Sequence, residues 1–499
     1  MRLARARWCG LVAAAVLAGA CTTVENPVTG RTERTVLDEQ SEIAEGAKQH
    51  QQVLADYGAV KDAKLQAYVA DIGQRLAQHS HRPNLEWHFT VLDSDEVNAF
   101  ALPGGYVYVT RGIMAYMESE ADLAGVMGHE IGHVTARHGA QRQTRAQVAG
   151  FGVLAATVLG AVLEGRGLGG AGELASQAAQ GVAAGYIAHY SRDQESQADR
   201  LGAEYLSRTG YDPHNMVDVI QVLKDQERFA ADQARAEGRQ PSEGSNWLAS
   251  HPSNEQRLAD IRAVATQYSG QPGHYGDDRR ARYLAAIDGL AFGEGREQGV
   301  TRGRNFYHEP LGIALTAPAG WKIQNTPEAI ALVAGDGSAG LVVRTVPPQA
   351  GTTPEEVIRN LVKPDAGRAE QRSLNGLPAT HFVGTRRDEQ GRAQNVELTV
   401  ASGPGGRQFL FLYAARDAQA LQAARPRLQE AEASFRALTA ADRAAARPWT
   451  LDSVAYPRGG FAELARGSPL LRAEQQLRLL NGVYGGGEPK PGEPVKVVR

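Results

Sequence analysis

The pentapeptide His129-Glu130-Ile131-Gly132-His133 holds two imidazoles four residues apart with a carboxylate between them. On a helix, positions i and i+4 project from one face, so both rings can reach a single ion. Glu130 then lies beside them, near a coordinated water. In a chain of this composition, a chance match to His-acid-x-x-His is expected only roughly 0.04 times. The chemistry suggested is metal-assisted hydrolysis.

A hydrolytic zinc centre needs a third protein ligand and one position left open for water. Thiolates are excluded, because both cysteines of the chain fall within its first 21 residues. A metzincin would place a histidine six residues past His133, but Gly139 stands there, and Ala136 stands where that pattern wants glycine. His138 is one residue off and about 140° around a continuous helix, which makes it a surface or supporting group. The other source is a later helix. Within Ser191–Asp199, Glu195 and Asp199 share one face. Glu195 can complete the coordination, and Asp199 can accept the free ring N–H of a ligating histidine. Acid pairs at this spacing are common on charged helices, so they gain meaning only beside the first motif.

Elements must position these groups. Ser41–Gln78 has helical spacing of Ile43, Ala47, Leu65, Val69, Ile72 and Leu76, whereas Leu85–Leu92 alternates as a strand. Asn98–Leu102 leads through Pro103-Gly104-Gly105 into a second strand, Tyr106–Val109, and Glu118–His138 is expected as one amphipathic helix. Phe151–Leu163 and the glycine-dense Gly165–Gly172 are too short to span a bilayer and are expected to form a helical hairpin packed on the domain or lying against a membrane, with a lid as the third reading. Helical pattern resumes from Ala183 to Leu206. From Asn305 the texture changes to short strands, with helices at Pro354–Leu361 and Gln419–Ala437. The fold class is therefore α+β.

At 499 residues the chain exceeds what one core usually serves. Residues 1–20 have the layout of a lipoprotein-type signal, with Arg2, Arg5 and Arg7, an apolar Leu11–Leu17, and small residues before Cys21. Cys21 is then the expected lipid anchor, the alternative being a plain secretory signal that leaves Cys21 a lone thiol; Thr22 after it favours the outer membrane over retention at the inner one. The remaining division is 26–267 for the metal domain, 268–304 for a linker, 305–440 for an accessory domain and 447–499 for a tail. The formal charge of −3 offers no basic field for nucleic acid.

Several of these segments together carry a resemblance. They are Asn26-Pro27-Val28-Thr29-Gly30-Arg31, Asn98 to Gly105, Gly128 to His133, Glu195-x-x-x-Asp199, Ser250-His251-Pro252 and Arg257. Over Asn26–Gln267 the chain resembles bacterial envelope gluzincin metalloproteases of the HtpX and BepA kind, relatives of the CAAX prenyl protease. The membrane spans of the first kind and the tetratricopeptide repeats of the second are missing. The resemblance implies a mainly helical zincin-type domain with a small sheet. It also implies one zinc ion per chain, held by His129, His133 and Glu195, with Glu130 as general base. His251 would approach the metal and guard its open position at rest, and Arg257 would be a partner near the site. A substrate peptide would pair with an edge strand at Asn98, Ala99 and Phe100, or at Tyr106–Val109. The domain from Phe306 to Trp321 and beyond resembles PsbP or Mog1 modules, and the tail resembles a degenerate lysin motif that could contact peptidoglycan.

The implied function is a zinc endopeptidase on the periplasmic side of the envelope, cutting unfolded or misassembled envelope proteins. Two rivals remain at this point. One is a non-proteolytic chaperone or scaffold for outer-membrane assembly, and the other is a peptidoglycan-binding lipoprotein.

Overall fold

The computed structural model describes residues 22–146, 190–236, 238, 240, 247, 251, 255–268, 278–326, 329–387 and 391–499. The leader, Cys21 and the expected hairpin at Phe151–Gly172 lie outside the described residues. Chain contacts define two compact units. One runs to Phe292 and includes Thr450–Arg499, and the other is Gly293–Trp449. The fold is α+β.

The first unit opens with an antiparallel pair, β1 (Thr22–Glu25) and β2 (Thr32–Thr35), followed by α1 (Glu39–Tyr57) and α2 (Ala63–Gln78). Gly58, at φ 67°, ends α1, and the Asp62 carboxylate caps α2 by accepting from the Lys64 and Leu65 amides. Next come β3 (His88–Leu92), β4 (Ala99–Leu102) and β5 (Tyr106–Thr110), in the order β3-β5-β4. β3 runs parallel to β5, and β4 runs antiparallel to it. Tyr106–Val109 is therefore the central strand, with both edges occupied. Among the described residues, β4 is the strand with a free edge on that side. A two-residue alternation tells which face of a strand is buried, but it does not tell which strands are neighbours.

Short α3 (Arg111–Tyr116) leads into α4 (Glu120–Thr135), and α5 (Arg192–Arg208), α6 (Asn215–Ala236), α7 (Glu255–Tyr268) and α8 (Arg280–Ile287) follow. All 16 residues of α4 are buried, so its polar side chains must find partners inside the protein. α4 and α5 cross with almost no side chain between them. A Cβ on Gly132 would come within 3.0 Å of the Ala198 carbonyl, and one on Gly202 within 3.1 Å of the His129 amide. Glycine is required here by close approach.

Both ends of α4 are pinned. At the first turn, the buried Glu120 carboxylate accepts from Tyr68 (2.9 Å), Arg75 (3.0 Å), Tyr211 (2.5 Å) and Arg279 (2.7 Å). At the last, Asn26 Nδ2 donates to the Ala136 carbonyl at 3.1 Å, while its Oδ1 accepts from the Val28 and Thr29 amides. Arg82 donates to the Val134 carbonyl and to Glu42. The helix stops at Thr135, short of the expected His138, because Arg137 enters the left-handed region at φ 59°. Its guanidinium lies 2.9 Å from Glu42.

The second unit holds two antiparallel sheets. The smaller contains β7 (Val300–Arg302), β8 (Asn305–His308), β9 (Ile313–Thr316) and, at its far edge, Arg436–Ala437. The larger runs β10-β11-β12-β16-β15-β14-β13. Its strands are β10 (Lys322–Asn325), β11 (Ile330–Val333), β12 (Ala339–Thr345), β13 (Ala366–Leu374), β14 (Leu377–Arg387), β15 (Ala393–Ser402) and β16 (Gln408–Ala415). Helix α9 (Pro354–Val357) precedes β13, and α10 (Ala418–Ala433) buries Leu428 in a core with Leu341, Phe409 and Phe411. β10 and β13 escape the sequence pattern, being short in one case and almost wholly exposed in the other.

The last fifty residues return to the first unit. β18 (Trp449–Ala455), α11 (Gly460–Ala465), α12 (Ala473–Leu480) and β19 (Pro494–Val498) form a β–α–α–β segment. β18 lies between β19 and β6 (Ala291–Phe292). Lys496 is buried, and its Nζ donates to the carbonyls of Ala115 (3.0 Å) and Met117 (2.6 Å) and pairs with Glu118 at 2.8 Å.

Burial alone would raise the Glu120 carboxyl, but its donors Tyr211, Arg279, Arg75 and Tyr68 bring it down to about 2. A carboxyl depressed in the folded state adds stability above its unfolded value and loses it as pH falls toward the folded one. Denaturant titrations from about pH 5 to about pH 2 should therefore show stability falling more steeply in the wild type than in Glu120→Gln. At neutral pH the variant should be less stable by about 3 kcal/mol. Matching acid profiles would mean that Glu120 does not pin the helix.

Candidate metal centre

The spacing of α4 turns His129 and His133 toward α5 with their Nε2 atoms 3.0 Å apart. The capping box of Ser191 and Gln194 starts α5 so that Glu195 falls in its first turn. Glu195 Oε1 lies 3.4 Å from His133 Nε2, and Oε2 lies 3.6 Å from His129 Nε2. His251 Nδ1 is 3.2 Å from His129 Nε2 and 3.1 Å from Glu195 Oε1. One donor atom from each of these four buried residues lies within 4.8 Å of all the others. Among the described residues no other His, Cys, Asp or Glu cluster meets that test.

The chemistry of this donor set fits a divalent cation. His129 Nδ1 sits 2.9 Å from Asp199 Oδ1, which favours the proton there and leaves the Nε2 lone pair facing the cluster. His133 Nδ1 faces His138 Nδ1 at 2.9 Å, and His138 Nε2 lies 3.0 Å from Gln197 Oε1. Converging imidazole lone pairs beside a carboxylate are the nitrogen and oxygen ligands that zinc takes. Burial holds the His133 imidazole well below its usual value, in the neutral ligating form. Burial would raise Glu195, yet His251, His133 and His129 keep it well below the usual carboxylate range.

Behind these donors, Arg257 grips Asp199 with two bonds, Nε to Oδ2 at 2.8 Å and Nη2 to Oδ1 at 2.9 Å. Its Nη1 reaches Glu195 Oε2 and the His251 carbonyl, each at 2.9 Å. Burial would raise Asp199, and Arg257 overcomes it, leaving the carboxyl lowered and ionised. Glu130 is also buried, and burial raises its carboxyl against the opposing pull of His251, His129 and Trp247.

The seven residues His129, Glu130, His133, Glu195, Asp199, His251 and Arg257 thus stand in one cluster. Of the strand candidates, Ala99 and Phe100 belong to β4, and Asn98 precedes it. The Phe100 ring is packed on Tyr108 at 4.8 Å, while Asn98 Oδ1 is buried with no hydrogen-bond partner among the described residues.

Two contributors were missed from sequence. Trp247 donates its indole N–H to Glu130 Oε1 at 2.8 Å and stacks on His251 at 4.6 Å. Its position four residues before His251 was the available signal. Tyr190 stacks on His133 with ring centres 4.0 Å apart. Of the two places the sequence allowed His138, the structure shows the supporting one, buried against His133. The left-handed Arg137 breaks the helix before it, so the angle expected for a continuous helix does not apply.

Residues 63–265 match the model of Peptidase family M48. The beta-barrel assembly-enhancing protease of Yersinia pestis is 30% identical over 291 residues, covering 54% of this chain and 57% of that protein. The protein of the same name in Escherichia coli (strain K12) is 32% identical over 246 residues, covering 48% and 47%. The mitochondrial metalloendopeptidase OMA1 of Schizosaccharomyces pombe is 30% identical over 234 residues, covering 45% and 60%. The chain spans about half the length of the curated relatives it matches.

Asp199→Asn removes the carboxylate that orients His129 while keeping its shape. Zinc affinity, measured by competition with a chromophoric chelator, should fall by about 10- to 100-fold. Unchanged affinity would show that Asp199 serves packing alone.

Proposed function

Taking residues 63–265 as a domain of Peptidase family M48, we propose that the protein is a zinc endopeptidase. We place its work on the periplasmic side of the cell envelope, on unfolded or misassembled envelope proteins. The observation that carries the reading is the convergence of His129, His133, Glu195 and His251 donor atoms beside a buried Glu130. In this reading His129, His133 and Glu195 are the resident ligands of one zinc ion. Zinc held there would lower the pKa of a coordinated water to about 7 and polarise the scissile carbonyl.

The protein's own groups do the rest. Trp247 engages Oε1 of Glu130, so proton transfer falls to Oε2. That oxygen takes the proton from the attacking water and delivers it to the leaving amine. Burial, by raising the carboxyl, makes Glu130 a better acceptor than an exposed glutamate. The free edge of β4 suits main-chain pairing with an extended peptide, which tolerates many sequences. The name of the bacterial relatives, beta-barrel assembly-enhancing protease, supports envelope proteins as substrates. Among the described residues no helix is long and apolar enough to cross a membrane, and attachment would fall to Cys21. No observation favours the scaffold reading, since every group the hydrolysis needs is present.

His251 is assigned the restraint. As a fourth protein donor it would occupy the place water needs, and it must withdraw before hydrolysis.

Glu130→Gln should keep zinc, read by elemental analysis, while peptide hydrolysis falls by about 10²- to 10⁴-fold. Wild-type turnover in that variant would end the assignment. His251→Ala should raise basal cleavage of an unstructured peptide at equal zinc content, and unchanged cleavage would remove the restraint. Trp247→Phe keeps the ring but loses the N–H. It should lower kcat by about tenfold with little change in KM.

A further inference from the structure

The second unit contains none of the metal-cluster residues, yet one corner of it is built like a binding site. β13 is the outermost strand of the seven-stranded sheet and pairs only with β14. Its first six residues, Ala366–Gln371, are all exposed, and such a row of open backbone groups is a template for another strand. Beside it lies a cavity of about 310 Å³. Ile358, Pro364, Ala369 and Phe382 supply its apolar wall, and Ala369 belongs to the edge strand itself.

The backbone that shapes this cavity is unusual. Ile358–Val362 forms a π-helical turn, a rare conformation that is frequent at functional sites. Lys363 closes it in the left-handed region at φ 49°, which a non-glycine residue enters only at some cost. Leu361 in the same turn is 43% exposed, one of only four large apolar side chains so exposed among the described residues.

Charge decides the occupant. Arg359 and Lys363 both line the cavity, against one carboxylate, Glu355. That carboxylate is already engaged, accepting from Thr380 Oγ1 at 2.7 Å. An apolar hole with two cations beside an open strand edge matches one chemical object. It is a chain end whose last side chain is apolar and whose terminal carboxylate lies next to it.

We infer that this corner binds the free C-terminus of an extended polypeptide. The backbone adds to β13, the last side chain enters the cavity, and the carboxylate meets Arg359 and Lys363. Internal segments lack the carboxylate and bind weakly.

The test uses the full chain carrying Glu130→Gln, with mass spectrometry confirming that the peptides stay intact. Fluorescence anisotropy is measured with a labelled Ser/Val decapeptide ending in leucine as the free acid, as the amide, and with two serines appended. The free acid should bind saturably, and the other two about tenfold or more weaker. Arg359→Glu should cost a similar factor, as should Lys363→Gly, which keeps the left-handed turn and removes the charge. Hydrogen exchange should slow across 366–374 when the free acid is added. Absence of saturable binding would overturn the inference. So would equal binding of acid, amide and extended peptide, or affinity indifferent to both substitutions in protein of unchanged melting temperature. None of these results depends on whether the metal centre cleaves peptides.

Discussion

The doubly bonded, buried pair of Arg257 and Asp199 is the interaction on which the metal cluster rests. Asp199 orients His129, while the same guanidinium reaches Glu195 and the His251 carbonyl. One cation thus fixes two of the cluster's donors and the backbone of a third. Burying a guanidinium alone would cost several kcal/mol, and only the full set of carboxylate contacts offsets that. Glu130 and Glu195 remain as buried acids facing one another across the imidazoles, with Arg257 the one guanidinium among the described residues that reaches either of them. A divalent cation supplies balancing charge, so the protein's electrostatics and the ligand chemistry point the same way.

The second constraint is steric. A helix with no exposed face must be held by its neighbours at every turn, and α4 achieves this through glycines that let α5 approach its backbone. The same closeness brings Glu195 within reach of the histidines. Fixation at Glu120 and at Asn26 then removes sliding along the helix axis. A ligand set spread over three separate stretches of chain is preorganised in this way before any ion arrives.

Much of the centre was legible because its logic is local. His129, Glu130 and His133 follow from helical periodicity, and Glu195 with Asp199 from the same rule one helix later. His251 and Arg257 could be paired with them only by resemblance, because nothing in a sequence tells that a loop 122 residues past His129 returns to it. The Asn26 motif was visible as a motif, but its purpose, capping the end of α4, appears only in three dimensions. What stayed hidden is of one kind. The order of β3, β5 and β4, the break at Arg137 that carries His138 inward, and the polar β13 all depend on neighbours distant in sequence. In the tail, too, the packing joins residues far apart in sequence. Its prolines and glycines mark the surface loops, while Leu477, Leu480, Val495 and Val497 quietly form a core.

Lys496 has a consequence for the order in which the molecule is made. Its ammonium caps carbonyls that lie 381 and 379 residues earlier, across the whole of the second unit. The loop this contact closes is among the longest the chain could form, and loop-closure entropy makes such a contact a late one to form. The turn before the helix that carries His129 and His133 is thus secured by a strand hundreds of residues later in the chain.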